Sequence, residues 1–471
     1  MKMLSSADIY NKLIGFIDEI KIDIFIILLT LVLFIPFIFL NKPFRVGDGS
    51  EYYALSLAWK NTPGPFMADS SWLKYQELVE SNQITGLVNA EIVKANFVKD
   101  IFTGVPADSH HFWFYSFCAA VIAELGYSIG VNIPIHVSFL LVHFTFLSIL
   151  FVISWRSYKW NGLLAILLLT ALSPIVWYID KVHTEFFTYC VTTSAVILFS
   201  RKNNISAAFF LALASTQNIS FAGISILLVI FDFFSRKKCL YSRNEAIVLL
   251  LTALFIGLHP AYYWFRYGYV DPKIAGLGGT IIYGNIRYFY VWFFDPDIGL
   301  FTNWPFGVLL LVLSLASLLH NIRVNSGINR WVVFYTSYIL VSISAQSSTL
   351  NLNSGGTPGI GRYGLWYLAL FFPIVIFLIT KTVISNGWKI GFFAIIIFGI
   401  SYSIYFFNPA LPENYTKPSL VSSWIQKYLP GAYNPAPEIF AERYGGRGEG
   451  PKLWQALAVA GPDCHKLLII N

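Results

Sequence analysis

The feature that most constrains this chain is a recurrence: apolar runs of about 17 to 22 residues return along most of its length. The first, residues 23–40, reads "DIFIILLTLVLFIPFIFL", with one charge at its very start. Inside hydrocarbon every backbone N–H and C=O must be paired within the segment, so runs of this length become helices. Composition agrees: mean hydropathy is +0.61 and only 12% of residues are charged, where a soluble surface uses roughly 25%. The chain is therefore expected to be an all-α, polytopic membrane protein with the lipid bilayer as its solvent. The net charge of +7 is not gathered into a dense Lys/Arg patch alternating with aromatics, so it argues topology and not nucleic-acid binding. Four scattered cysteines, Cys118, Cys190, Cys239 and Cys464, have no metal-ligand or redox spacing. The N-terminus has no small-residue cleavage site and reads as a retained first helix.

The expected spans lie near 23–40, 133–153, 161–178, 185–200, 204–216, 219–234, 244–264, 304–320, 331–346, 363–380 and 389–407. A further run, 111–125, is short and holds Glu124. If it does not cross, then Arg156, Lys159, Arg201, Lys202, Arg236, Arg243, Arg323 and Arg330 all fall on one side, which is the cytoplasmic one. Letting it cross inverts every later loop and breaks that sorting. The expectation is a bundle of about eleven spans. Its N-terminus is cytoplasmic, its C-terminus is extracytoplasmic, and 111–125 lies along the outer face. Residues 1–407 form the membrane domain, 41–132 its long first outer loop, and 408–471 a small outer segment. The pair 204–216 and 219–234, joined by the polar "STQN", reads as a hairpin that stops partway.

With this topology the carboxylates gather outside, and the core holds essentially no ionisable groups to serve a proton or ion relay. The first outer loop is too long for a plain connector. It opens with "RVGDGSEYY", placing Asp48 and Glu51 at the mouth of the first span. Asp48 between Gly47 and Gly49 suits a tight turn that aims a carboxylate at a cavity. The alternative is a helix cap, with Asp48 or Ser50 accepting backbone N–H bonds. "DSHHFWFY" follows with His110 and His111. The second outer loop, "WYIDKVHTEFF", packs Asp180, Lys181, His183 and Glu185 into six residues. Such a cluster needs partners or a ligand; an Asp180–Lys181 pair with Glu185 at a helix start is the simpler account. Arg266 and Arg287 flank a later Gly- and aromatic-rich loop. In "NLNSGGTPGIGRYGLWY" the glycines let backbone amides approach an anion, and Arg362 presents a guanidinium that can grip phosphate.

The order of these features resembles the GT-C superfamily of membrane glycosyltransferases, including protein O-mannosyltransferases and lipid A aminoarabinose transferases. The resemblance is strongest over residues 41–200, and "FDPDIGLFTNWPFG" and "GGTPGIGRYGLWYLALFFP" look like late loops of bacterial members. It implies a polyprenyl-phosphate-linked sugar donor, a glycan, lipid or protein acceptor, and a site on the outer face of a bacterial inner membrane. The acid of the family's first outer loop falls on Asp48, with Glu51 beside it, and that of the second on Glu185, with Asp180 as understudy. Arg362, and after it Arg287 and Arg266, fall where the donor phosphate is held; His183, His110 and His111 stand nearby as binding residues. Many members carry His-Pro-Pro where this chain has His110-His111-Phe112. No cofactor follows, although Asp48 and Glu185 could share a divalent cation, as in some relatives. Two other functions remain open: an O-antigen polymerase or ligase, and a lipid or glycan flippase.

Overall fold

The structure, a computed structural model, describes residues 6–39, 42–62, 64–99, 104–236, 241–272, 284–324, 330–349, 351–353, 359–381, 386–444, 457–460 and 466–469. Lys273, Cys239, Cys464 and the Gly355–Gly356 pair of the glycine-rich loop lie outside them. The molecule is mostly helical, with two small antiparallel strand pairs that the all-α expectation did not include. Four described helices are long and apolar enough to cross a membrane: Asp18–Phe39, Ile135–Ala171, Arg243–Tyr267 and Arg362–Thr380. The other expected spans are shorter apolar helices or parts of helices.

The helices are α1 (Ser6–Phe39), then α2 (Gly49–Asn61), α3 (Asp69–Glu80) and α4 (Ala90–Ala95) in the first loop, and α5 (Phe114–Ser128). Between α4 and α5, β1 (Phe97–Lys99) pairs with β2 (Pro106–Ser109). Next comes α6 (Ile135–Ala171), whose 37 residues cover two expected spans. It breaks at Lys159, where φ is 54° and ψ −141°. The halves fold back there: a Cβ on Gly162 would lie 2.4 Å from the Ser154 carbonyl oxygen, which a straight helix never allows at that separation. Arg156 in this turn pairs with Asp23 of α1. The second half stops at Ala171, and Pro174–Tyr178 follows as a 3-10 turn, since proline cannot continue the hydrogen-bond ladder.

Helix α7 (Thr184–Ser200) is the centre of the bundle; every residue from Thr184 to Ile197 is buried. It packs against α6, α8 (Asn204–Ser215) and the 3-10 segment Arg362–Phe371. Hydrogen bonds fix it laterally, from Thr170 to Tyr189 (2.9 Å) and from Asn218 to Thr188 (3.2 Å). Helix α8 has 12 residues, about 18 Å of helix, well short of the roughly 30 Å hydrocarbon thickness. It forms a hairpin with α9 (Ser220–Ser235), as expected. Helix α10 (Arg243–Tyr267) follows, then the short α11 (Val291–Phe294) and α12 (Leu300–Asn303) of the "FDPDIG" turn. The bundle continues with α13 (Pro305–Val324), α14 (Arg330–Gln346), α15 (Phe372–Lys381) and α16 (Asn386–Phe406). The span expected at 363–380 thus opens as a 3-10 segment and becomes α-helical only at Phe372.

Two histidines that the expectation of an ion-free core passed over lie in α6. His136 Nδ1 bonds the Tyr53 hydroxyl at 2.7 Å, tying α2 to α6. His143 Nε2 bonds the Tyr115 hydroxyl at 2.7 Å, and its Nδ1–H donates to the Ile179 carbonyl at 3.0 Å. Both rings are buried and cross-link α6 to α2, to α5 and to the chain before α7.

The C-terminal segment, with α17 (Leu420–Tyr428) and α18 (Pro437–Tyr444), is stitched to several of the connecting loops. Lys181 Nζ donates to Pro409 O (2.6 Å), Trp177 Nε1 to Leu411 O (3.0 Å), and the Gly47 amide to Glu413 (3.4 Å). Tyr433 donates to both Asp295 and Asp297, and Arg443 Nε donates to Asn353 Oδ1 at 2.8 Å. The apolar chain end forms a strand, β4 (Lys466–Ile469), paired with β3 (Leu457–Ala460).

Candidate active site

Gly47 adopts a left-handed conformation, φ +46°, and turns the chain sharply just before α2. A Cβ there would stand 3.2 Å from His183 Nε2 and 3.9 Å from Arg362 Nη1, so the turn brings bare backbone against the site. Asp48 occupies the N-cap position of α2, but its side chain makes no cap bond. It points instead at three basic side chains from three distant segments. Arg362 Nη1 is 2.6 Å from Asp48 Oδ2, His111 Nε2 is 3.3 Å away and His183 Nε2 is 3.6 Å away. Ser50, the other proposed cap, accepts from the Val88 amide at 3.2 Å and holds the first loop together.

Around this carboxylate the site is layered. Glu51, one turn along α2, accepts from Ser109 Oγ and lies 3.8 Å from His111 Nε2. Ser109 Oγ also accepts from the His111 amide at 3.0 Å, so β2 sets the height of that histidine. Glu185 takes the other side of His183 through Nδ1. The His183 ring therefore fills the space between Asp48 and Glu185 that the shared-cation expectation assigned to a metal. Tyr52 packs against His111, His183 and Tyr115 with ring centroids 5.4, 5.8 and 5.4 Å apart, closing the site from below.

Burial alone would raise the Asp48 pKa, but Arg362 and His111 outweigh it and hold the carboxyl well below its usual range. Burial would likewise discharge His183, yet Glu185 and Asp48 carry it up to about 9. At neutral pH the centre is an aspartate with an imidazolium and a guanidinium drawn around it. Arg362 Nη1 and His183 Nε2 sit 3.0 Å apart, both drawn in by Asp48.

Asp48, Glu51 and His111 offer donor atoms all within 4.8 Å of one another, the one cluster of this kind among the described residues. A divalent ion there would face the Arg362 guanidinium on the same Asp48 oxygen, and Glu51 is already engaged by Ser109. The arrangement does not fit a metal.

Three expected site residues lie elsewhere. Arg266 is committed to buried Asp108, with Nη2–Oδ2 at 2.8 Å and Nε–Oδ2 at 3.2 Å, and Tyr262 and Tyr267 donate to the same carboxylate. It anchors α10 to β2 and has no free face for a phosphate. Arg287 is exposed and lies over the Tyr288 ring at 4.7 Å. Asp180 forms a buried pair with Lys181, which fastens the second loop to Pro409, as the simpler account held. His110 lines the cavity beside the site.

That cavity, about 270 Å³, is bordered by His111 and Arg362 on one side and by Gln346, Asn351, Trp366 and Ser220 on the other. A second cavity, about 460 Å³, is walled by Phe293, Phe301, Leu311, Trp331, Tyr335 and Phe377. Tyr367 joins them: its ring lines the apolar cavity while its hydroxyl donates to Gln346 of the polar one at 2.7 Å. Sequence reasoning missed Ser109, Tyr52, Gln346, Trp366 and Asn351. None has a local signal, because each acquires its role only through a partner far along the chain. No family model, curated protein or solved structure matches this chain.

Proposed function

We propose that this protein is a polytopic membrane glycosyltransferase resembling the GT-C superfamily. On this reading it moves a sugar from a polyprenyl-phosphate donor to a glycan, lipid or protein acceptor on the outer face of a bacterial inner membrane. The observation that carries the reading is the ionised Asp48. It is held by Arg362 and two histidines beside a polar cavity, and Gln346 of that cavity accepts a hydrogen bond from Tyr367 of an apolar one. An amphiphile with an anionic joint between a polar head and an apolar tail has that same sequence of surfaces.

In the reaction the acceptor hydroxyl approaches the anomeric carbon, and Asp48 takes its proton as general base. The bond from that carbon to the phosphate oxygen breaks, and its electron pair leaves on the lipid phosphate. Arg362 stabilises that departing charge. A carboxylate held far below the working pH is a weak base, so the resting Asp48–Arg362 pair is an inactive state. When the donor phosphate claims the guanidinium, Asp48 loses its main counter-charge and its basicity rises. His183, charged and held by Glu185, keeps the carboxylate oriented meanwhile. On the expected eleven-span topology Asp48, His183 and Arg362 would face the outer side, where no nucleotide sugar is available and a lipid-linked donor is required.

The test is direct. Purified protein receives prenyl-phosphate hexoses and pentoses together with envelope extract from its host, and release of prenyl phosphate is measured. The expected result is release by the wild type and none by Asp48→Asn. No release from any donor in the panel would sink the proposal.

A further inference from the structure

The polar cavity contains buried polar atoms that the protein leaves without hydrogen bonds. Trp366 is 6% exposed and its indole Nε1–H has no partner; neither have Ser220 Oγ, Asn351 Oδ1 or Arg362 Nε. Buried groups of this kind are ordinarily satisfied, so several of them along one cavity call for a ligand that completes them. The set is mixed. Trp366 and Arg362 can only donate, Asn351 Oδ1 can only accept, and Ser220 does both.

Resting on the glycosyltransferase reading, we infer that this cavity selects the donor's sugar, and that it takes one uncharged ring rich in free hydroxyls. A hydroxyl donates and accepts at once and so answers both kinds of vacancy. A carboxylate on the ring can only accept; set against Asn351 Oδ1 it would meet another acceptor, and it would face the charge of buried Asp271 in the same wall. An ammonium on the ring can only donate, which sets it against the Trp366 and Arg362 donors. The rings of Trp366 and Tyr363 supply apolar faces for the C–H surface of a sugar. At about 270 Å³ the space lies just under the lower end of ordinary small-molecule pockets, roughly 300 Å³, which suits one ring and not an oligosaccharide. Asn351, Ser220 and Trp366 thus become the specificity-determining residues of the site, separate from Asp48 and Arg362, which do the chemistry.

Calorimetry on the full-length protein in detergent tests this with three probes: a short prenyl phosphate, the same lipid carrying a neutral hexose, and the same lipid carrying a hexuronic acid. The wild type is expected to bind the neutral hexose lipid about tenfold more tightly than bare prenyl phosphate, with no gain for the uronate. Trp366→Phe and Asn351→Ala should each erase most of that gain and leave bare prenyl phosphate binding unchanged. Equal affinity of the wild type for all three probes, a preference for the uronate, or an undiminished gain in both variants would overturn the sugar-cavity inference alone. Failure of the wild type to bind any of the three would overturn the transferase reading itself.

Discussion

Asp48 decides the most at the scale of the single residue. Its neighbours Gly47 and Gly49 marked it in the sequence, and the missing cap bond shows that its carboxylate serves something other than α2. Asp48→Asn keeps size and neutralises the base, so transfer should fall about 10²- to 10⁴-fold, and the melting temperature should drop because Arg362 and His183 lose a counter-charge. Asp69→Asn, in the exposed first turn of α3, should change neither. Gly47→Ala should also lose activity. Its Cβ would press on His183 at 3.2 Å, and its left-handed backbone adds roughly 1 kcal/mol of strain, visible as a lower melting temperature. His183 carries a pH signature. Its pKa is raised from the ordinary 6.5 to about 9, so the folded state binds the extra proton between those values. The stability it contributes is complete below pH 6.5 and fades as pH rises through about 9. Thermal melts from pH 7 to 10 should show that loss in the wild type, and His183→Gln should flatten it.

Among the elements, α6 and α7 organise the rest. The hairpin in α6 depends on Gly162, because any side chain there meets the Ser154 carbonyl. Gly162→Leu should prevent the two halves from closing and cost about 1–3 kcal/mol, read as reduced yield of folded protein in detergent. The fold-back also sets which loops share a side. Single cysteines at exposed Ser81, Ser128 and Ser423 should react with a membrane-impermeant reagent in intact cells, and those at Arg201 and Asn244 should not. A cysteine at Ser128 that stays unlabelled would mean α5 crosses the bilayer. Every later loop would then invert.

At the scale of the whole molecule, the C-terminal segment works as a strap across loops from distant parts of the chain. Asp295 sits under Tyr433 beside Asp297, and burial together with that neighbouring charge pushes it up to about 6. A raised acid pKa means the folded strap holds a proton that the released one gives up. Its contribution is full below about 4 and is lost as pH rises through about 6. Limited proteolysis within 408–444 should therefore be faster at pH 7.5 than at pH 5, and Asp295→Asn should remove the difference. Arg443 holds Asn353 beside the loop that ends at Arg362, and Gly361 donates to the Ile298 carbonyl at 2.9 Å from the "FDPDIG" turn.

The sequence by itself determined the helical, lipid-compatible character of the chain, since runs of apolar residues at that length leave the backbone one way to satisfy itself. It also marked Asp48, Glu185, His111, His183 and Arg362, because charged groups at the ends of such runs are costly without partners. Which partner each one takes belonged to the tertiary structure. Arg362 reaches Asp48 across 314 positions, whereas Arg266, of the same residue type and in a similar loop, turns to Asp108. The polar cavity, its apolar neighbour and the Tyr367–Gln346 hydrogen bond that links their linings exist only when α14 and the 3-10 segment are packed together. Local propensity acts over a turn or two of chain. Pairing across hundreds of residues is settled by which surfaces the packed helices bring within hydrogen-bonding reach.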